Sequence, residues 1–182
     1  MPNKPHAIKK ETELLSKIIL YEAIYPAMHL CEGYEFFHRN DNLELNIESK
    51  CTSLTLCLAI AYEELRSHFS DHVDISTILD DFLHVYVGFY MNVKKHRLNS
   101  LDKLSLKIKQ LDMLGKYIDM LRESNINHLR DALAFSFLPA LSCKYSYNYF
   151  EEAITIIVNQ ERLLIRMFLH DYLDFQSHLH KV

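Results

Sequence analysis

"LTLCLAIAY", residues Leu54 to Tyr62, is apolar almost all round. At 100° per residue such a stretch keeps hardly any polar side for water, which is the pattern of a helix surrounded by other helices. The flanking sequence extends it: Ile47, Cys51, Leu54, Leu58, Ala61/Tyr62, Leu65 and Phe69 recur at helical spacing, predicting a helix over about Leu43 to Phe69. The continuous apolar run is far short of the ~20 residues that span a bilayer. Its predicted surroundings are therefore protein, and an all-α fold with enough helices to enclose one of their number follows.

The rest of the chain agrees. With 182 residues it is long enough to bury a core as one domain. Only 3 glycines and 4 prolines are present, too few turn formers for a sheet of hairpins. A first helix is predicted from about Ala7 to His38, kinked at Pro26, where proline removes an amide donor. Its apolar positions Leu14, Ile18, Tyr21, Tyr25 and Met28 lie on one line that continues through Glu32. Asp74 or Ser76 can cap a third helix with the stripe Ile75, Ile78/Leu79, Phe82, Tyr86, Phe89/Tyr90 and Val93. Asn99 or Ser100 opens a fourth, where Leu104, Ile108, Leu111, Leu114, Ile118 and Leu121 alternate steps of three and four. A fifth runs from about Ile126 to Leu141, and a last, long helix starts near Ser146. The expected architecture is an all-α, single-domain bundle of about six helices over 1–182, with antiparallel neighbours and short polar loops. A polar lead, 1–6, precedes it and a histidine-containing tail, 176–182, follows.

Net charge is −4 with the basic residues spread out, so no footprint for nucleic acid stands out. Lys94-Lys95-His96-Arg97, the one basic cluster, reads as a helix C-terminus. Cys31, Cys51, Cys57 and Cys143 form no CxxC pair and read as small core residues in a reducing compartment. No apolar signal segment follows the polar N-terminus, so a cytoplasmic protein without membrane attachment is expected.

Several places invite a chemical reading. Glu35 and His38 form an ExxH, and Asp81 and His84 its aspartate analogue, the spacing with which di-metal bundles project a carboxylate and an imidazole inward. On the third helix, however, Asp81 and His84 lie roughly 120–180° from the core stripe, and Glu63 and Glu64 lie off the stripe of the second. No metal or other cofactor is expected. His68 and His72 have i, i+4 spacing at what reads as a helix end. In the first helix, Glu22, His29 and Glu32 approach the apolar side near the carbonyl that Pro26 leaves without its donor, and they form a candidate polar pocket.

The stretch "RESNINH", Arg122 to His128, resembles the arginine-to-histidine motif of the HEPN ribonucleases. The resemblance implies metal-independent RNA cleavage in a toxin or phage-defence system. His128 would then move a proton and Arg122 would steady the phosphate charge. "AIAYEELRSH" is similar to abortive-infection proteins of the same superfamily, and "YNYFEEAITII" to one helix of a tetratricopeptide unit. Phosphate loops, HExxH and GxSxG are missing from the sequence. The leading expectation is a non-catalytic interaction or regulatory protein, with HEPN-like cleavage as the alternative. Its partner would be another protein or a second copy of itself, met through the leucine-rich fourth helix at Leu104, Leu111 and Leu114.

Overall fold

In the computed structural model of the chain the described residues are 4–25, 43–68, 74–123, 155, 156 and 158–171. Every regular element among them is helical, and none is a strand. Helix α1 spans Lys4–Ile19 and continues as a wider, π-helical winding over Leu20–Ile24. Helix α2 spans Leu43–His68, α3 Ile75–Lys94 and α4 Ser100–Arg122. Residues 158–171 form α5. Pro26 and the predicted fifth helix lie outside the described residues.

Local chemistry sets these boundaries. Asp74 caps α3, its carboxylate accepting from the backbone N–H groups of Ser76 and Thr77 at 3.1 and 3.2 Å. The Ser76 and Thr77 hydroxyls, which also donate to it, and after them those backbone bonds hold its pKa down at about 2. At the other end Lys95 turns left-handed, φ 51°, and the N–H groups of Lys95 and His96 close back on the carbonyls of Asn92 and Met91. Asn99 caps α4 by accepting from Asp102 N–H at 2.8 Å. A connection of five residues, 95–99, therefore folds α4 back along α3, and Lys107 meets Asp80 across the pair at 3.4 Å.

Helix α2 lies in the middle. Eleven consecutive residues, Cys51 to Ala61, are buried, with Leu54 through Ala61 fully so. It packs along α4 and α3 and against the π-helical winding. Gln110 of α4 donates to the Thr55 hydroxyl, which in turn donates to the Cys51 carbonyl at 2.8 Å. Further along, Arg122 reaches both carboxylate oxygens of Glu63, at 2.9 and 3.1 Å. Since 55 pairs with 110 and 63 with 122, α2 and α4 run the same way. Likewise Thr12 accepts from Asp74 N–H at 3.4 Å and Ser16 donates to Asp81 at 2.9 Å, so α1 and α3 also share a direction.

One sequence expectation about α1 is corrected. The line Leu14, Ile18, Tyr21, Tyr25 is not the core face, for Leu14 and Tyr21 are both more than half exposed. Leu15, Ile19, Leu20, Ala23 and Ile24 are buried instead. The π-helical winding takes in an extra residue per turn, with Tyr25 N–H reaching the Leu20 carbonyl, and so carries adjacent residues 19 and 20 to the same side.

Candidate interaction surface

Helix α4 carries two seams at coiled-coil spacing. One runs Lys103, Lys107, Gln110, Leu114, Tyr117 and Leu121, in steps of four and three. From Gln110 onward it is buried against α2, with Leu114 fully buried. The other seam is Leu101, Leu104, Ile108 and Leu111, and these side chains stand 77%, 55%, 61% and 45% exposed. In its N-terminal half, then, α4 places lysines on the line that becomes its core face and leucines outside. Apart from Leu106, which packs against the core, the amphipathic sense of that half is opposite to what a helix docked on a core requires.

The consequence is a cleft between α3 and α4 of about 350 Å³. Val87, Gly88 and Met91 from α3 and Leu104 from α4 supply its apolar lining, while His84, Lys103 and Lys107 bring polar and cationic groups. Leu104 belongs both to the cleft and to the exposed seam, making one continuous surface. Gly88 leaves part of this space open, since a Cβ built there would meet no atom within 4 Å.

Against this geometry the sequence candidates fall as follows. Leu104 and Leu111 lie on the exposed seam, but Leu114 does not. The single stripe read through all three is in fact two, because the alternating spacing crosses from the outer seam to the inner one between Leu111 and Leu114. Glu22 is exposed on the π-helical winding and so lines no buried pocket. His29, Glu32, Glu35, His38, His72 and His128 lie outside the described residues. Asp81 is tied to α1 through Ser16, while His84 is exposed and lines the cleft. Among the described residues no three His, Cys, Asp or Glu side chains group as a metal site. Cys51 and Cys57 are buried within the core.

Two carboxylates are buried, Glu64, which the sequence placed off the core stripe, and Glu161, which it did not single out. Glu64 is buried, and Arg166 grips it bidentately, Nε at 2.8 Å and Nη2 at 3.0 Å, with Arg162 at 3.4 Å. This fastens α5 to α2 and holds the Arg166 guanidinium pKa above its usual value. Glu161, on the α5 face that also buries Val158, Ile165 and Leu169, is fully buried, and neither carboxylate oxygen has a hydrogen-bond partner among the described residues. Burial pushes its pKa up to about 8, favouring the protonated, neutral form. The signal for Glu161 was available, since it sits on the line of Val158, Ile165 and Leu169.

Arg122 is engaged by Glu63 and by Asp119 at 3.7 Å, a carboxylate setting rather than an open phosphate site. No helix of the described residues is long and apolar enough to cross a membrane. Compared with known proteins, the chain matches no family model, no curated protein and no solved structure.

Proposed function

We propose that this chain is a non-catalytic helical interaction or regulatory protein, a single cytoplasmic domain of about six helices that works through the outer side of α4. The observation that carries this is the exposed seam Leu101, Leu104, Ile108 and Leu111, joined through Leu104 to the α3–α4 cleft. Four apolar side chains in a row leave a contiguous patch of the kind that marks partner surfaces. They are not needed for the core, which closes without them around Gln110, Leu114, Tyr117 and Leu121.

The decisive comparison is between the wild type and a Leu104→Asp, Ile108→Asp variant. Light scattering across a dilution series reports self-association, and cross-linking in the native cells reports other partners. The expected result is that one of these associations is present in the wild type and lost in the variant, while helix content is kept. A wild type that stays monomeric, with a cross-linking pattern indifferent to both substitutions, overturns the proposal. The ribonuclease alternative gains no supporting observation, since Arg122 is bound to Glu63.

A further inference from the structure

The partner's chemistry can be inferred from the charges that border the cleft. Of the side chains that line it, Lys103 and Lys107 are cationic and none is acidic, in a protein of net charge −4. Among the described residues Lys107 is matched by Asp80 at 3.4 Å, whose side chain is 75% exposed. An apolar hollow with a cationic border therefore sits on an otherwise acidic molecule. On the far side of Leu104 comes the bare seam.

We propose that the α3–α4 cleft and the seam beside it receive an acidic amphipathic helix from a partner protein. This rests on the function proposed above and gives it a ligand class. The occupant's apolar side chains would enter between Val87, Met91 and Leu104 and lie along Ile108, while its carboxylates meet Lys103 and Lys107. The seam from Leu101 to Leu111 spans eleven residues, a rise of about 15 Å, so an occupant of about three turns matches it.

Three features favour this occupant over the others. A second copy docked symmetrically through the seam would bring Lys103 and Lys107 towards their own counterparts, and like charges across an interface are repulsive. A membrane surface would cover the seam, yet it is flat and would leave the hollow unfilled. A nucleic acid would meet the lysines but would find leucine and isoleucine where bases need aromatic stacking partners.

The test uses the full-length protein and two synthetic peptides of about five turns. Both carry leucines at i, i+3, i+4 and i+7, one with glutamates elsewhere and the other with lysines. Fluorescence anisotropy is measured at low salt and at about 0.5 M salt. The expected result is that the glutamate peptide binds at least about tenfold tighter than the lysine peptide, and loses about tenfold or more in high salt. Lys103→Glu with Lys107→Glu should invert the preference. Gly88→Leu, which fills the hollow where a side chain has room, should weaken binding about tenfold or more while circular dichroism stays unchanged.

Equal binding of the two peptides, or binding indifferent to Gly88→Leu, overturns the acidic-helix proposal. So does preferential binding to phosphatidylserine-containing vesicles. A dimer abolished by Leu104→Asp overturns it too, yet leaves the interaction reading standing with a second copy as occupant. If peptides, vesicles and self-association are all insensitive to Leu104→Asp and Ile108→Asp, both proposals fall.

Discussion

Two regions of this molecule carry side chains of the wrong polarity for their place. In the interior around α2 and α5, Thr55, Gln110, Glu64 and Glu161 are polar and buried; on the outside of the α3–α4 hairpin, Leu101, Leu104, Ile108 and Leu111 are apolar and bare. The interior polar groups are mostly matched, Gln110 with Thr55 and Glu64 with two arginines. The exterior apolar groups have nothing over them among the described residues. Unmatched polarity inside costs stability at once, whereas an uncovered apolar ridge costs the isolated chain little and waits for a partner. Mutations at the two places should accordingly behave in opposite ways.

The largest contrast lies within α4. Leu114→Asp puts a charge into a fully buried site and should cost about 5 kcal/mol or more, enough to abolish cooperative unfolding in a denaturant titration. Leu104→Asp, three turns away on the other seam, is expected to stay within about 0.5 kcal/mol of the wild type. A marked loss of stability at Leu104 would show that the outer seam is structural and would remove the contrast.

Glu161 sharpens the interior half of the comparison. Its pKa is about 8 when folded against an ordinary 4.5, so between those two pH values the folded chain holds a proton that the unfolded chain has given up. Stability linked to this group is therefore full below about pH 4.5 and falls as the pH rises towards 8, by up to about 4 kcal/mol. Glu161→Gln should leave stability near pH 4.5 little changed and raise it at pH 8, measured as a shift in denaturant midpoint. A variant no more stable than wild type at pH 8 would mean that the carboxyl is matched or hydrated after all. Gln110→Ala gives a smaller effect, about 1–2 kcal/mol, because Thr55 keeps its bond to the Cys51 carbonyl. A loss far above that would indicate that the Gln110–Thr55 contact fixes the register of α2 against α4.

The fold was legible where one face of a helix dominates. The stripe read for α3 contains Ile78, Phe82 and Tyr86, all buried, and the caps read from Asp74 and Asn99 are the caps observed. The central position of α2 was legible for the opposite reason, that no face of Leu54 to Tyr62 is polar. Reading failed where two faces compete. In α1 leucine, isoleucine and tyrosine occur nearly all round, and the π-helical winding shifts the phase, so periodicity alone selected Leu14 and Tyr21 over Leu15 and Ile19. In α4 the two seams share one alternating rhythm, and only the lysines at 103 and 107 could have shown that the inner seam loses its apolar character toward the N-terminus. The cleft was beyond the sequence, since it arises from two helices brought together by tertiary packing. Glu63 and Glu64, set aside as off-stripe residues, turned out to grip α4 and α5 respectively.

The enclosure of α2 also sets an order in time. During synthesis the segment Cys51 to Ala61 leaves the ribosome before α3, α4 and α5, and the last of these follows about 97 residues later, which at about 5–20 residues per second is about 5–20 s. Until α3 and α4 have followed, a leucine-rich stretch with no polar side of its own has, among the described elements, only α1 and the π-helical winding to lie against. The nascent chain, rather than the finished protein, is the species with the greatest need of a chaperone. Slowed translation between His68 and residue 158 should lower the soluble yield more than the same delay placed after residue 171.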